Sequence, residues 1–190
     1  MIIDHTYFTQ RLSLPQRGNS EGQDLIDDFV ETYEEEYLKK VLGYDLWKAF
    51  SDGIAGSGTP DQRWLDLLDG KEFTYLSKNY NWDGFATMMK TPIANYVYYK
   101  WMEDSAEHNT LVGTAIQVVD NNSRVNAVTK MVDAWNRMVD MNRTLWMFLK
   151  ANADVYPEWD DSHTPEWAWW GDTEPHECHE LFTKRNSLDI

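Results

Sequence analysis

The chain has a single cysteine, Cys178, and this scarcity excludes a disulfide within it. Such cysteine usage fits a reducing compartment or a fold without selection for covalent bridges. No apolar run approaches the length that crosses a bilayer, so the sequence predicts no contact with a membrane. The first residues, Met1 to His5, also lack the basic and apolar pattern of a signal peptide.

Basic residues are in short supply. The sequence has 17 Lys and Arg against 32 Asp and Glu, which gives a formal net charge of −15. A chain of this charge lacks the basic patch with which nucleic-acid-binding proteins release counterions from phosphate. The acidity has two interpretations: it keeps the protein in solution, or it lets DNA pass close by without adhesion.

Motifs for catalysis or metal binding are missing as well. The nearest approach is His176-Glu177-Cys178-His179, whose second histidine comes one residue too early for H-E-x-x-H, and no second cysteine completes a zinc site. The glycines between Asp52 and Gly58 follow no strand and precede no Lys-Ser/Thr pair, so they do not form a phosphate-binding loop. The sequence therefore predicts no enzyme activity, no metal and no cofactor.

Aromatic residues, by contrast, are abundant. The 190 residues include 10 Trp, 10 Tyr and 7 Phe, and 42% of the chain is hydrophobic. This is enough for one domain with a sizeable core. Trp and Tyr also suit interfaces, so we expect some of these aromatic residues in the core of the domain and others in contacts between chains.

Apolar residues at three- and four-residue spacing, with capping residues at the ends, predict a mainly α fold: a small helical bundle with a minor β hairpin. The main helices are expected near residues 21–42, 59–69, 91–107 and 123–151, with a short helix at 44–51 and a loop or small hairpin in 71–85. The last helix carries two apolar stripes, which indicate neighbours from one domain or from two subunits.

Both ends of the chain differ in composition from this helical domain, which spans 20–151. Residues 1–19 are predicted to form an extended N-terminal arm, and 152–190 an irregular, acidic, Trp- and Pro-rich C-terminal arm. The alternative for the C-terminal arm is folding back on its own domain. Otherwise both arms become ordered on a partner or a neighbouring copy, through these predicted partner-binding residues: Tyr7, Phe8, Trp159, Trp167, Trp169 and Trp170.

Three segments, Glu31–Phe50, Arg63–Gly70 and Pro92–Tyr99, resemble a known family. They are similar to head–tail connector (adaptor) proteins of tailed phages, most of all to those of crAss-like and related phages of Bacteroides hosts. The resemblance covers roughly residues 1–150.

The resemblance implies a structural virion protein that is assembled in the host cytoplasm and located at the head–tail junction. It implies a homo-oligomeric ring, commonly of twelve copies, that binds the portal protein and other tail or ring proteins. Genomic DNA passes through such a ring without specific binding.

A second non-enzymatic class follows from the charge alone. Small acidic proteins can imitate DNA and inhibit a DNA-binding enzyme, which requires carboxylates spaced along an exposed face. The first helix supplies candidates for that face: Asp27, Asp28, Glu31, Glu34 and Glu35. The aromatic content argues against this class, because a DNA mimic needs charge more than it needs tryptophan.

Overall fold

The computed structural model describes residues 1–14, 20–56, 58–111, 121–160 and 179–186. Their regular elements are α1 (Ser20–Leu42), α2 (Tyr44–Ala55), α3 (Gln62–Asp69), β1 (Lys71–Tyr75), β2 (Lys78–Trp82), α4 (Pro92–Leu111) and α5 (Asn121–Ala151). Short 3-10 helices add His5–Tyr7, Gln10–Leu12 and His179–Phe182. The predicted mainly α fold with a minor β hairpin is confirmed.

Helix α4 is the centre of the described bundle. Every residue from Thr91 to Tyr99 is buried, as expected for a helix that is apolar around most of its circumference. On one side it packs against α1, where the rings of Tyr37 and Tyr96 lie 5.4 Å apart. On the other side it packs against α5, where the rings of Tyr99 and Trp135 lie 4.7 Å apart.

Helix α2 is longer than the sequence predicted, since it continues through the expected loop to Ala55. The glycine at 53 explains the difference. A Cβ added to Gly53 would overlap the indole of Trp64 on α3, so this glycine permits close packing and does not interrupt the helix. Helix α3 starts at Gln62, after Asp61 and slightly later than predicted from Thr59-Pro60.

The expected hairpin is present as an antiparallel pair, with Phe73 opposite Tyr80. Its base is tightly closed by two glycines with left-handed backbones, Gly70 (φ +92°) and Gly84 (φ +90°). A Cβ on either would collide with backbone of the facing segment, so side chains are excluded there. Phe73 packs edge-on against Phe148, which attaches the hairpin to α5.

Both apolar stripes of α5 are used within one chain. The helix packs against α4, both hairpin strands and the 3-10 helix near the C-terminus. Its buried residues come from both stripes, for example Trp135 and Val139 from one and Met138 and Leu145 from the other. The apolar run Ile116-Gln117-Val118-Val119, whose composition predicts a short strand, lies outside the described residues.

The described parts of the two predicted arms pack on the helical domain. Residues 1–14 form two 3-10 turns, and their side chains Ile3, Phe8, Leu12 and Leu14 belong to the core. Tyr156 and Leu181 are likewise buried. The sequence showed that these apolar residues need burial but not where they find it, and in the single chain they find it on their own domain.

Candidate partner-binding surfaces

The N-terminal segment, residues 1–14, is fixed to α1 by the carboxylate of Glu34. That side chain is 6% exposed and accepts hydrogen bonds from the backbone nitrogens of Ile2, at 2.8 and 2.9 Å, and Ile3, at 3.0 Å. Burial raises the pKa of Glu34, against the lowering effect of these bonds and of the amino group of Met1 at 3.7 Å. Glu34 is therefore a structural acceptor.

The charge run Glu34-Glu35-Glu36 is thus only in part the solvated helix face that such runs usually form. Position 34 lies on the inner face of α1, three residues before the buried Tyr37, whereas Glu35 is exposed and pairs with Lys39. Glu36 is intermediate: it pairs with Lys40 at 2.6 Å and accepts a hydrogen bond from the Tyr96 hydroxyl at 2.8 Å.

A second anchor of the N-terminal segment is Asp27 on α1. Its carboxylate accepts a hydrogen bond from the backbone nitrogen of His5 at 2.6 Å, and its other oxygen lies 2.7 Å from His5 Nδ1. The hydroxyl of Tyr7 donates to the carbonyl of Ala86 at 2.7 Å, and Phe8 is 0% exposed. In this conformation Phe8 has no surface to offer a partner, and Tyr7 is half-buried.

Trp159 belongs to a segment that folds onto α3. It is half-buried and packs against the core, and its backbone nitrogen donates to the carbonyl of Tyr156 at 3.0 Å. The Tyr156 hydroxyl donates to the carbonyl of Arg63 at 2.8 Å, and Arg63 pairs with Glu158 at 3.0 Å. Of the other predicted anchors, Trp167, Trp169 and Trp170 lie outside the described residues, as do His176 and Cys178.

Tryptophan in the described part of the chain serves the core. Three such side chains are buried and four more are half-buried and packed against the core: Trp64, Trp82 and Trp135, then Trp47, Trp101, Trp146 and Trp159. These seven of the ten tryptophans therefore contribute to packing within the chain.

The outer face of α1 carries five exposed carboxylates at alternating spacings of three and four residues. This acidic stripe consists of Glu21, Asp24, Asp28, Glu31 and Glu35. Residues at these spacings share one helix face, and fourteen residues of helix span about 21 Å. The sequence predicted Asp28, Glu31 and Glu35 for this face, but it also predicted Glu34 and Asp27, whose carboxylates contact the N-terminal segment instead.

The tip of the hairpin was not predicted as a surface of interest. Leu76 is 79% exposed, and both turn residues, Leu76 (φ +48°) and Ser77 (φ +63°), adopt the left-handed conformation that favours glycine or asparagine. The hairpin thus presents an apolar side chain from a strained turn, and its strand β1 contacts α5 through Phe73 and Tyr75. The sequence does contain a signal for this surface. The two residues between the aromatic strands are Leu76 and Ser77, and neither is the glycine or asparagine that a two-residue turn usually has.

Within the described ranges, no group of three or more His, Cys, Asp or Glu side chains is arranged to hold a metal ion. None of the helices in those ranges has the length and apolarity needed to cross a bilayer. No protein-family model, curated protein or solved structure matches the chain.

Proposed function

We propose that this chain is a structural virion protein that forms a ring between the portal and the tail of a tailed phage. In this role it joins head to tail and lines the channel through which DNA leaves the capsid. The observation that carries the proposal is the position of the three segments that resemble connector proteins. They meet in one continuous aromatic core, through Tyr37 and Tyr96 at 5.4 Å and Phe50 and Trp64 at 5.8 Å.

The acidic stripe supports a location beside DNA. Carboxylates that face a channel repel phosphate, so that the genome can slide without adhering. We place the outer face of α1 towards the channel for this reason. The opposite face of α1 is the one that packs on α4 and the N-terminal segment, so the stripe itself takes no part in the core.

A cyclic arrangement suits a protein with two different faces. Head-to-tail contacts between unlike surfaces close into a ring when the rotation between copies allows it. The exposed hairpin tip at Leu76 and the half-buried Tyr7 lie on the described surface and are available for such contacts. The ring, commonly of twelve copies in the family that the chain resembles, would bind the portal protein and other tail proteins.

The second candidate is an acidic DNA mimic that inhibits a DNA-binding enzyme. The acidic stripe is the observation in its favour, since it is exposed and regularly spaced. The aromatic content, which argued against this class, loses weight because the described tryptophans serve the core.

The two functions differ in what the loss of the protein does to a phage that encodes it. Without a connector, infected cells should accumulate DNA-filled heads and free tails that do not join, as seen by electron microscopy of the lysate. If a phage that cannot make the protein still forms normal virions, the connector role is excluded. If purified virions of the unaltered phage do not contain the protein, the inhibitor is favoured.

A further inference from the structure

Residues 180–186, here called the C-terminal clip, lie in a groove along α5. Their side chains Leu181 and Phe182 are 2% and 3% exposed, so the clip inserts two apolar anchors into the domain. Helix α5 packs directly against this 3-10 helix. The clip is therefore held as a short peptide would be held, with its apolar side chains buried against the domain.

Four side chains of α5 donate hydrogen bonds to the backbone of the clip. Asn142 donates to the carbonyl of Leu181 at 2.8 Å, and Arg143 to that of Phe182 at 3.2 Å. The indole of Trp135 donates to the carbonyl of Thr183 at 2.8 Å.

Asn136 completes the set of α5 side chains that bind the clip backbone. Its amide donates to the carbonyl of Arg185 at 3.0 Å and accepts from the nitrogen of that residue at 2.9 Å. Side chains that bind successive main-chain groups in this way form a built site for a peptide, because each bond fixes the register of the bound segment.

Charged side chains of the clip add specificity. The Arg185 guanidinium lies 3.9 Å from the ring centroid of Trp135 and 5.1 Å from that of Tyr99, within the range of cation–π attraction. Lys184 pairs with Asp140 of α5 at 2.7 Å. The groove thus recognises apolar, main-chain and cationic features of one short sequence.

The number of residues between residue 160 and the clip sets the farthest distance that the clip can reach. Nineteen residues, 161–179, lie between residue 160 and the clip, which begins at Glu180. At about 3.3 Å per residue, a connection of this length reaches as far as about 60 Å. The groove of one chain and the groove of an identical chain offer the same contacts, so this reach makes both accessible to the clip.

We propose that the groove on α5 also binds the C-terminal clip of a second copy of this chain, so that neighbouring copies exchange clips. This interaction adds to the proposed function, because in such a ring each copy would be held to its neighbour by a clip bound in a groove as well as by surface contacts. It rests on the proposed ring for its biological role, but the binding itself is a property of two copies of the purified chain.

Two full-length variants test the exchange. Leu181→Asp places a charge in the apolar pocket and disables the clip while leaving the groove intact. Asn136→Arg blocks the groove and repels Arg185 while leaving the clip intact. Neither variant can dock its own clip, so docking within the chain, which benefits from an effective concentration of roughly millimolar, no longer competes with docking between chains.

Native mass spectrometry of each variant and of their mixture gives the result. We expect a one-to-one heterodimer in the mixture that is absent from either variant alone. Leu181→Met, which conserves the side-chain volume, is the matched control and should behave as the unaltered protein. A mixture that contains the same masses as the separate variants would overturn the proposal. If each variant still forms rings alone, clip exchange is excluded while the proposed ring survives.

A second measurement covers the case in which Leu181→Asp fails to fold, as judged by its thermal unfolding. A photoreactive phenylalanine at position 182 in the full chain should crosslink to α5. With an equal mixture of isotope-labelled and unlabelled protein, hybrid crosslinked peptides show binding between copies. Crosslinks that never join labelled to unlabelled peptides would contradict the exchange.

Discussion

At the scale of the residue, Glu34 is the most informative side chain, because burial and hydrogen bonding act on it in opposite directions. Burial raises its pKa above the ordinary glutamate value of 4.5. A group whose pKa is higher in the folded state contributes stability that is complete below its unfolded pKa. That contribution is lost as the pH rises through the folded pKa.

We therefore predict that the unaltered protein loses stability as the pH rises through the pKa of Glu34, and that Glu34→Gln, which cannot ionise, does not show this loss. Relative to this variant, the free energy of unfolding of the unaltered protein should fall as the pH rises from about 4.5 through the raised pKa. The fall should be about 1.4 kcal/mol for each unit by which the pKa is raised. Denaturant unfolding across this pH range measures it.

Glu35→Gln removes the same charge from the exposed face of the same helix and controls for the change in net charge. A difference between the unaltered protein and Glu34→Gln that stays constant with pH, or grows in favour of the unaltered protein as the pH rises, would contradict the assignment.

Gly53 gives a second prediction at this scale. Alanine in place of glycine within a helix normally stabilises by up to about 1 kcal/mol. At position 53 the added methyl group meets the buried indole of Trp64, so we expect Gly53→Ala to destabilise the fold by about 1–3 kcal/mol instead. Gly56→Ala is the matched control, since nothing lies within 4 Å of its Cβ. Equal unfolding midpoints for the two variants would show that Trp64 has room to move.

At the scale of the element, the hairpin turn departs most from common turn chemistry. Left-handed conformations at both central residues usually call for Asn-Gly, and the penalty for other residues is roughly 1 kcal/mol each. We expect the double change Leu76→Asn and Ser77→Gly to raise the free energy of unfolding by about 1 kcal/mol or more. Urea unfolding with an unchanged m-value is the measurement.

Leu76→Ala alone separates the backbone from the side chain. Because Leu76 is 79% exposed, losing its apolar side chain should change stability little. If Leu76→Ala raised stability as much as the double change does, the backbone explanation would fail.

The elements also show what the sequence could and could not predict. The spacing of apolar residues located α1, α4 and α5 to within a few residues, because burial on one helix face imposes that spacing locally. The end of α2 was missed because the reason for Gly53 is Trp64, eleven residues further along the chain. Helix propensity alone cannot distinguish a glycine that ends a helix from one that lets a neighbouring side chain pack closely against it.

The candidate surfaces follow the same division. Of the five carboxylates in the acidic stripe, the sequence predicted only Asp28, Glu31 and Glu35, although the helix period places all five on one face. The role of Glu34 could not be predicted, since it depends on the backbone of residues 2 and 3 folding back across 32 and 31 positions. The groove for the C-terminal clip depends in the same way on contacts between distant segments.

For the whole molecule, the acidity has two interpretations, a channel lining that repels DNA and simple solubility. They differ in whether the position of the charges matters. Neutralising the acidic stripe by the corresponding amides should leave the fold intact, because its five side chains are exposed. In virions that carry this variant, we expect slower DNA ejection, since phosphate is no longer repelled from the channel. The rate of ejection is measured from the fluorescence of a dye that binds the released DNA.

The control neutralises five other exposed carboxylates and so reaches the same net charge: Asp45, Asp52, Asp69, Glu72 and Asp154. If both variants eject DNA at the unaltered rate, or both are slowed equally, the outer face of α1 does not line the channel.

The proposed function requires that copies of this chain assemble into a ring. The mass of the assembly, measured by native mass spectrometry for the purified protein alone and with the portal protein of the same phage, tests it most directly. We expect a single closed assembly with a defined copy number that binds the portal as a unit. A protein that remains monomeric both alone and with the portal would contradict it.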